Sequence, residues 1–359
     1  MVAYIRRMVV QRRKWISGQE FEEGVALCQA VPGATAMQCS AWVGLRLRRL
    51  AGAVAAYLGF GLPAFVLMLA LSMTYRHVVD LPVVASTLGG IRVLVVALVA
   101  NAAWTFARSS IRRPREGTIA AVTAALFFMG GSPVLIIVGA GLVGVILLRG
   151  SSPPNSPDSG PRTARKALLL PAVVLGLAVA LAAVLLVVDS RLGTMGLLMM
   201  KVDLLAFGGG FSSVPLMFHE IVDSRGWLPA GVFLDGIALG QVTPGPIGIT
   251  ATFVGYQLAG VPGAVVGTVC VFLPSILVVV LAEPWFRRFR SSPAFQGATK
   301  ALVLSFVGLL ACVTVQFAQL APWSIRSGII GALALVALLL RVDVLWVVLG
   351  GAAVSAVVL

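Results

Sequence analysis

The chain has 359 residues, of which 59% are apolar and 11% charged, and its formal net charge is +14. A soluble domain of that length needs far more polar surface, so a soluble fold is excluded. The alternating pattern of a membrane β-barrel is absent, while apolar runs of helix-spanning length recur, so the fold class is all-α polytopic membrane protein.

In a membrane protein the basic excess reads as positive-inside topology. No basic stretch carries interleaved aromatics, so nucleic acid is not an expected partner; the lipid bilayer is. Cys28, Cys39, Cys270 and Cys312 lie in apolar segments without a Cys-x-x-Cys pair, and His77 and His219 are far apart. No metal or cofactor is expected. Neither a Walker loop nor a nucleophile–base arrangement occurs, so the chain reads as no enzyme and no ATP-driven pump.

The N-terminus, MVAYIRRMVVQRRKWISGQEF, has five basic residues and no apolar core of signal-peptide length. It reads as an amphipathic lead-in on the cytoplasmic face. Spanning runs follow at Ala51 to Tyr75, Val83 to Ala107, Ala167 to Val188 and Val261 to Glu283, and at Ile329 to Leu340 continuing into Val342 to Leu359. Gly24 to Leu45 and Gly117 to Leu148 read as returning pairs of short helices, broken at Pro32-Gly33 and at Gly130-Gly131-Ser132-Pro133. Leu192 to His219 reads as another. The Ser/Pro/Gly-rich stretch between Arg149 and Lys166 is a polar linker. It divides residues 1–148, a first membrane repeat, from residues 167–359, a second.

The two parts resemble each other. WISGQEFEEGVALCQAVPG from Trp15 matches WLPAGVFLDGIALGQVTPG from Trp227. After a one-residue slip, Gly44, Gly52-Ala53 and Leu62-Pro63 match Gly255, Gly263-Ala264 and Leu273-Pro274. This is an internal duplication, and placing the basic loops in the cytoplasm makes it an inverted-topology repeat with broken helices.

Two Gln-x-x-Pro-Gly elements, Gln29 to Gly33 and Gln241 to Gly245, carry the strongest functional signal. Pro removes a backbone donor and Gly permits positive φ, so each apolar helix should break there. A half-helix starting beyond the break presents N–H donors and a positive dipole end, which suits an oxyanion. The candidate site is Gln29, Pro32, Gly33 and Thr35 with Gln241, Thr243, Pro244, Gly245 and Pro246, the last placed in the first turn of its half-helix. Gly208, Gly209 and Gly210 form a second break, where the backbone either approaches a substrate or lets helices approach each other. Glu23 and Asp235 share one repeat position, and Lys201 and Asp203 are ionisable residues in an apolar helix; these are candidate coupling or charge partners. Arg92 and Lys300 either offset substrate charge or snorkel to the interface. The Gly139 to Gly144 stretch fits a dinucleotide pattern but follows no strand, and helix packing accounts for it.

Phe207 to Ser275, and more briefly Arg12 to Pro63, resemble the motif blocks of long-chain, two-domain members of the chromate ion transporter family. The resemblance implies gradient-driven efflux of chromate across the cytoplasmic (inner) membrane and chromate resistance, with sulfate as structural analogue. A carrier of another tetrahedral oxyanion, a passive anion channel and a homo-oligomeric assembly stay open beside it. The chain departs from the family pattern in two places: the counterpart of the glycine-rich segment would fall before Met1, and Ala34 stands where the second part has Pro246.

Overall fold

The computed structural model of the protein describes residues 1–148, 189–284, 286 and 292–358. The polar linker, the Ala167 to Val188 run and the Arg287, Arg288 and Arg290 cluster lie outside the described residues. Thirteen α-helices and no strands are found among those described. They are α1 (Val2–Arg6), α2 (Gly18–Ala30), α3 (Thr35–Val78), α4 (Pro82–Ser110), α5 (Pro114–Phe128), α6 (Pro133–Leu147) and α7 (Ser190–Leu205). The series continues with α8 (Ser213–Phe218), α9 (Ala230–Val242), α10 (Thr250–Ala282), α11 (Pro293–Leu320), α12 (Ile325–Leu339) and α13 (Val344–Val358). Among the described residues, four stretches are long and apolar enough to cross a membrane: Thr35–Val78, Val83–Ser110, Ile247–Ala282 and Pro293–Leu320. Their outward faces stay apolar, as at Leu58, Leu62 and Val66 of α3, which only lipid can cover without cost.

The duplication read from the sequence recurs in the backbone. The starts of α11, α12 and α13 each lie 211 positions after those of α4, α5 and α6 (293 less 82, 325 less 114, 344 less 133). Helices α5 and α12 end alike, in Met129 and Leu340 at φ −77° and ψ 4°. Both α3 and α10 bend sharply: Arg48 and Arg49 have φ/ψ of −141°/31° and 52°/−142°, and Ala259 and Gly260 have −147°/26° and 63°/−147°. Even the π-turns match, Arg7–Arg12 before Lys14 and His219–Asp223 before Gly226, the last two residues both at positive φ.

Small residues make each hairpin possible. A Cβ on Gly44 or Gly52 would collide with the carbonyl of the other, and Gly255 and Gly263 stand in the same relation. Trp42 and Phe253 fill the equivalent spaces over Gly24 and Gly236. Within the Gly139 to Gly144 stretch, Gly141 lies against Leu302 and Gly144 against Gly297 and Ala301 on α11, while Gly139 has open space around it. One run divides differently from its composition. Ile329 to Leu340 and Val342 to Leu359 do not continue into each other, because Arg341 at φ 66° turns the chain between α12 and α13.

Two compact units emerge from the packing: Met1–Leu62, Ile137–Gly210 and Val269–Val303 form one, and Pro63–Ile136, Phe211–Thr268 and Leu304–Leu359 the other. Neither unit is one sequence repeat, for each takes chain from both. The first is built on a cluster around Phe21, Leu27, Trp42, Val279 and Phe286. In the second, Phe218 meets Phe233 and Phe317 edge-on, and α12 and α13 pack along α4 through Gly331 on Val93 and Gly351 on Leu94.

Gly44→Ala should lower the detergent melting temperature, since backbone on the facing helix cannot yield. Gly59→Ala, with open space around it, should be neutral or raise it, as a helical Gly→Ala gains about 0.5–1 kcal/mol. Arg49→Gly should also stabilise, because its backbone region costs a non-glycine residue about 1–3 kcal/mol. A thermal-shift series on purified protein checks all three.

Candidate functional site

Both Pro-Gly elements break their helices. At the first, α2 ends at Ala30, Val31 turns extended, and α3 begins at Thr35. Gly33 sits at φ +119°, which only glycine adopts without strain, and a Cβ there would strike Ser275 and Gln38. The freed donors do not stay open. Gly33 N–H donates to the Ala206 carbonyl at 2.8 Å, and Ala34 N–H to Ser275 Oγ at 2.9 Å. The Ser275 hydroxyl in turn donates to Asp203 Oδ2 at 2.8 Å. Gln38 Nε2 donates to the Pro32 carbonyl, and its fully buried Oε1 has no hydrogen-bond partner among the described residues.

The first break is therefore a closed polar knot inside the first unit, tied to the end of α7. Asp203, read from the sequence only as an ionisable residue in an apolar helix, is 2% exposed and belongs to the knot. Lys201, its neighbour, is exposed and does not share that surface, as two residues along a helix point apart. Gln29 is exposed too, so the glutamine that reaches the first break is Gln38 and not Gln29. The chain then runs from α7 into Gly208 and Gly209, at φ 88° and 110°, with Gly210 opening a short 3₁₀ turn. A Cβ on Gly209 would come within 3.6 Å of Thr35 Oγ1, so the glycine-rich segment passes beside the start of α3.

At the second break, in the other unit, α9 ends at Val242 and Thr243 turns extended. Pro246 does not lie within the first helical turn, as the sequence suggested. It is extended, at φ −73° and ψ 141°, and caps the 3₁₀ turn Ile247–Ile249 that leads into α10. The Thr243 hydroxyl is committed to the Gly240 carbonyl at 2.9 Å, a local bond that a threonine at a helix end makes readily, and so is not a spare donor. Gln241 is different. Its Nε2 is buried and lacks a hydrogen-bond partner among the described residues, a donor left waiting beside Pro244-Gly245. Gly245 faces the Cβ of Ala64.

Residues 64 and 275 are repeat equivalents, each following a Leu-Pro. The two breaks are thus closed by corresponding residues of different character, Ser275 at the first and Ala64 at the second. The sequence reading missed Ser275 and Gln38, although the contrast between Leu-Pro-Ser and Leu-Pro-Ala was visible, as was Gln38 opposite Ile249.

Glu23 and Asp235 share a repeat position but not a setting. Asp235 is fully buried and accepts from Arg92 Nε and Nη2 and from the Tyr75 hydroxyl, each at 2.8 Å. Arg92 neither snorkels nor stands ready for substrate charge alone; its guanidinium grips Asp235 two-handed. The positions equivalent to Tyr75 and Arg92 are Phe286 and Val303, which offer a carboxylate nothing, and Glu23 is only half-buried. Glu23 and Lys300 each have an interaction partner, so neither is a free charge.

Breaking the Arg92–Asp235 pair should harm stability more than removing it whole. Asp235→Leu alone, which leaves Arg92 uncompensated, should cost about 3–5 kcal/mol and most of the folded protein. Arg92→Met with Asp235→Leu should recover much of it, as read by monodisperse protein after detergent extraction.

The chain matches the family model described as Chromate transporter over residues 1–145 and 193–356. It is 40% identical over 349 residues to an uncharacterised transporter of Methanocaldococcus jannaschii, covering 97% of this chain and 87% of that protein. It is 32% identical to the chromate transport protein of Pseudomonas aeruginosa, covering 91% of this chain and 78% of that one. With the chromate transport protein of Cupriavidus metallidurans it shares 29% identity over 95% of this chain and 83% of the other. No solved structure matches. The broken-helix repeats, the apolar spans and these matches together place the chain in the chromate transporter family.

Proposed function

We propose that the protein is a secondary transporter that moves chromate out across the cytoplasmic membrane and so confers chromate resistance. The observation that carries the reading is the buried Gln241 Nε2, which has no hydrogen-bond partner among the described residues and belongs to the helix end that leads into Pro244-Gly245. An orphaned donor inside an apolar fold is costly, and an oxyanion, which offers acceptors only or acceptors in excess, satisfies it. The 3₁₀ and helical turns that start at Ile247 add the positive end of a helix dipole. The relatives named for chromate transport supply the anion.

Efflux follows from electrostatics. A membrane potential negative inside is worth about 2.3 kcal/mol per charge at 100 mV, so it drives a dianion outward by roughly 4.6 kcal/mol without a nucleotide. In this reading residues 1–148 and 167–359 form two repeats of opposite orientation, joined by a cytoplasmic linker at 149–166, with both Pro-Gly breaks at membrane depth. Membranes tolerate such non-helical backbone only where it is buried or lines a path.

Proteoliposomes loaded with chromate test this. An imposed potential, negative inside, should accelerate saturable efflux, with sulfate, molybdate and phosphate compared at equal concentration. Flux that never saturates would instead indicate a channel, and sulfate outrunning chromate would reassign the substrate. At matched abundance and below saturation, Gln241→Ala should slow chromate flux up to about tenfold, the upper range for one neutral hydrogen bond. Gly245→Val should slow it further by jamming the turn against Ala64.

A further inference from the structure

We infer that Asp203 binds a proton during the transport cycle, and that its ionisation latches the first Pro-Gly break shut through Ser275. The inference rests on the transport reading above and deepens it to the control of the break.

The latch is continuous in the structure. The Asp203 carboxylate accepts the Ser275 hydroxyl, and Ser275 Oγ accepts Ala34 N–H at the break itself. Three residues along from Asp203, at the end of the same helix, the Ala206 carbonyl accepts Gly33 N–H. Helix α7 therefore grips both residues that follow Pro32. Just beyond the grip the chain enters Gly208 and Gly209 at positive φ, a segment able to change course with little steric cost.

Asp203 is badly provided for as an ion. It is 2% exposed, its one side-chain donor is the Ser275 hydroxyl, and no arginine, lysine or histidine pairs with it among the described residues. Asp235 makes the comparison: equally buried, it receives two guanidinium bonds and a phenol. A permanently ionised carboxylate needs such partners, and one held by neutral donors alone, with no cation among the described residues, is suited to gaining and losing a proton. The titratable and charged groups around Asp203 are few. From α3 the Tyr57 phenol feels its charge while donating to the Phe272 carbonyl. On its own helix Lys201 is exposed. Among the described residues, α10 and the break bring the neutral Ser275, Ala34 and Gln38.

The switch needs only a proton from water. With Asp203 ionised, the Ser275 hydroxyl proton is committed to Oδ2. Once Asp203 is neutral, its own O–H can donate to Ser275 Oγ, and the Ser275 proton turns elsewhere. The Ser275 hydroxyl then becomes a donor available to an oxyanion, and the Gln38 Oε1, without a partner among the described residues, can accept from an anion that carries a proton. Neutralisation also removes like-charge repulsion toward the anion, so proton and anion favour each other's binding reciprocally.

The test is chromate flux from proteoliposomes between pH 6 and 8.5, at fixed potential, for wild type, Asp203→Asn and Ser275→Ala. Wild-type flux should rise on acidification, by up to about tenfold per pH unit where one proton is linked. Chromate's own protonation contributes equally to every variant, so the difference between profiles reports Asp203. Asp203→Asn, locked neutral, should lose that added slope and hold flux near the acid limit at all pH values. Ser275→Ala removes both the carboxylate's side-chain donor and the link to Ala34, so its profile should flatten, with the remaining slope shifted to higher pH. An Asp203→Asn profile parallel to wild type, or normal abundance without flux at any pH, overturns the inference. Should Asp203→Asn not reach the membrane, an unshifted Ser275→Ala profile overturns it alone. Absence of chromate flux from wild type would instead strike the functional reading on which all of this rests.

Discussion

Backbone at a helix break cannot be left unsatisfied where water is scarce, and most of what distinguishes this protein follows from that constraint. Pro32-Gly33 and Pro244-Gly245 each interrupt a helix, so each creates amide and carbonyl groups that need partners. At the first break they are found: the Ala206 carbonyl, the Ser275 hydroxyl and the Gln38 amide. At the second, Thr243 and Pro246 satisfy local groups, but the Gln241 amide is left over. One break is sealed by polar side chains and the other keeps a spare donor.

Duplication explains why the breaks are comparable, and substitution since then explains why they differ. The bends at Arg48-Arg49 and Ala259-Gly260 agree to within about a dozen degrees, so the scaffold has kept its shape. What surrounds the breaks has diverged, Ser275 against Ala64, Gln38 against Ile249, and the fully buried Asp235 held by Arg92 against the half-buried Glu23.

Much of the fold was legible before any coordinates. Apolar run length identifies the long helices, and Pro-Gly or Gly-Gly-Ser-Pro marks the interruptions, because these are local backbone rules. Arg341 was harder, since nothing in its side chain announces a left-handed turn between two apolar helices. The site was less legible still. Gln29 and Gln241 look equivalent in the motif, but side-chain destination depends on which helix lies opposite, and Gln38 fills the place assigned to Gln29. Asp203 and Ser275 stand 72 residues apart, and no spacing rule joins them. Arg92 stands 143 residues before Asp235, beyond any motif window.

The packing units carry a consequence for how the chain comes to be built. The first unit is not complete until residues 269–303 exist, because Ser275 and Phe286 close a core begun at residues 9–43. The first break therefore leaves the ribosome with its amides unsealed and waits through most of synthesis for its partner. During that interval the N-terminal hairpin is held in the bilayer by apolar length alone. A second repeat that failed to follow would leave an inserted but unlocked half, exposed to the membrane's quality control. Duplication within one polypeptide guarantees that the sealing residues arrive, in equal number and in the same membrane, soon after the break that needs them.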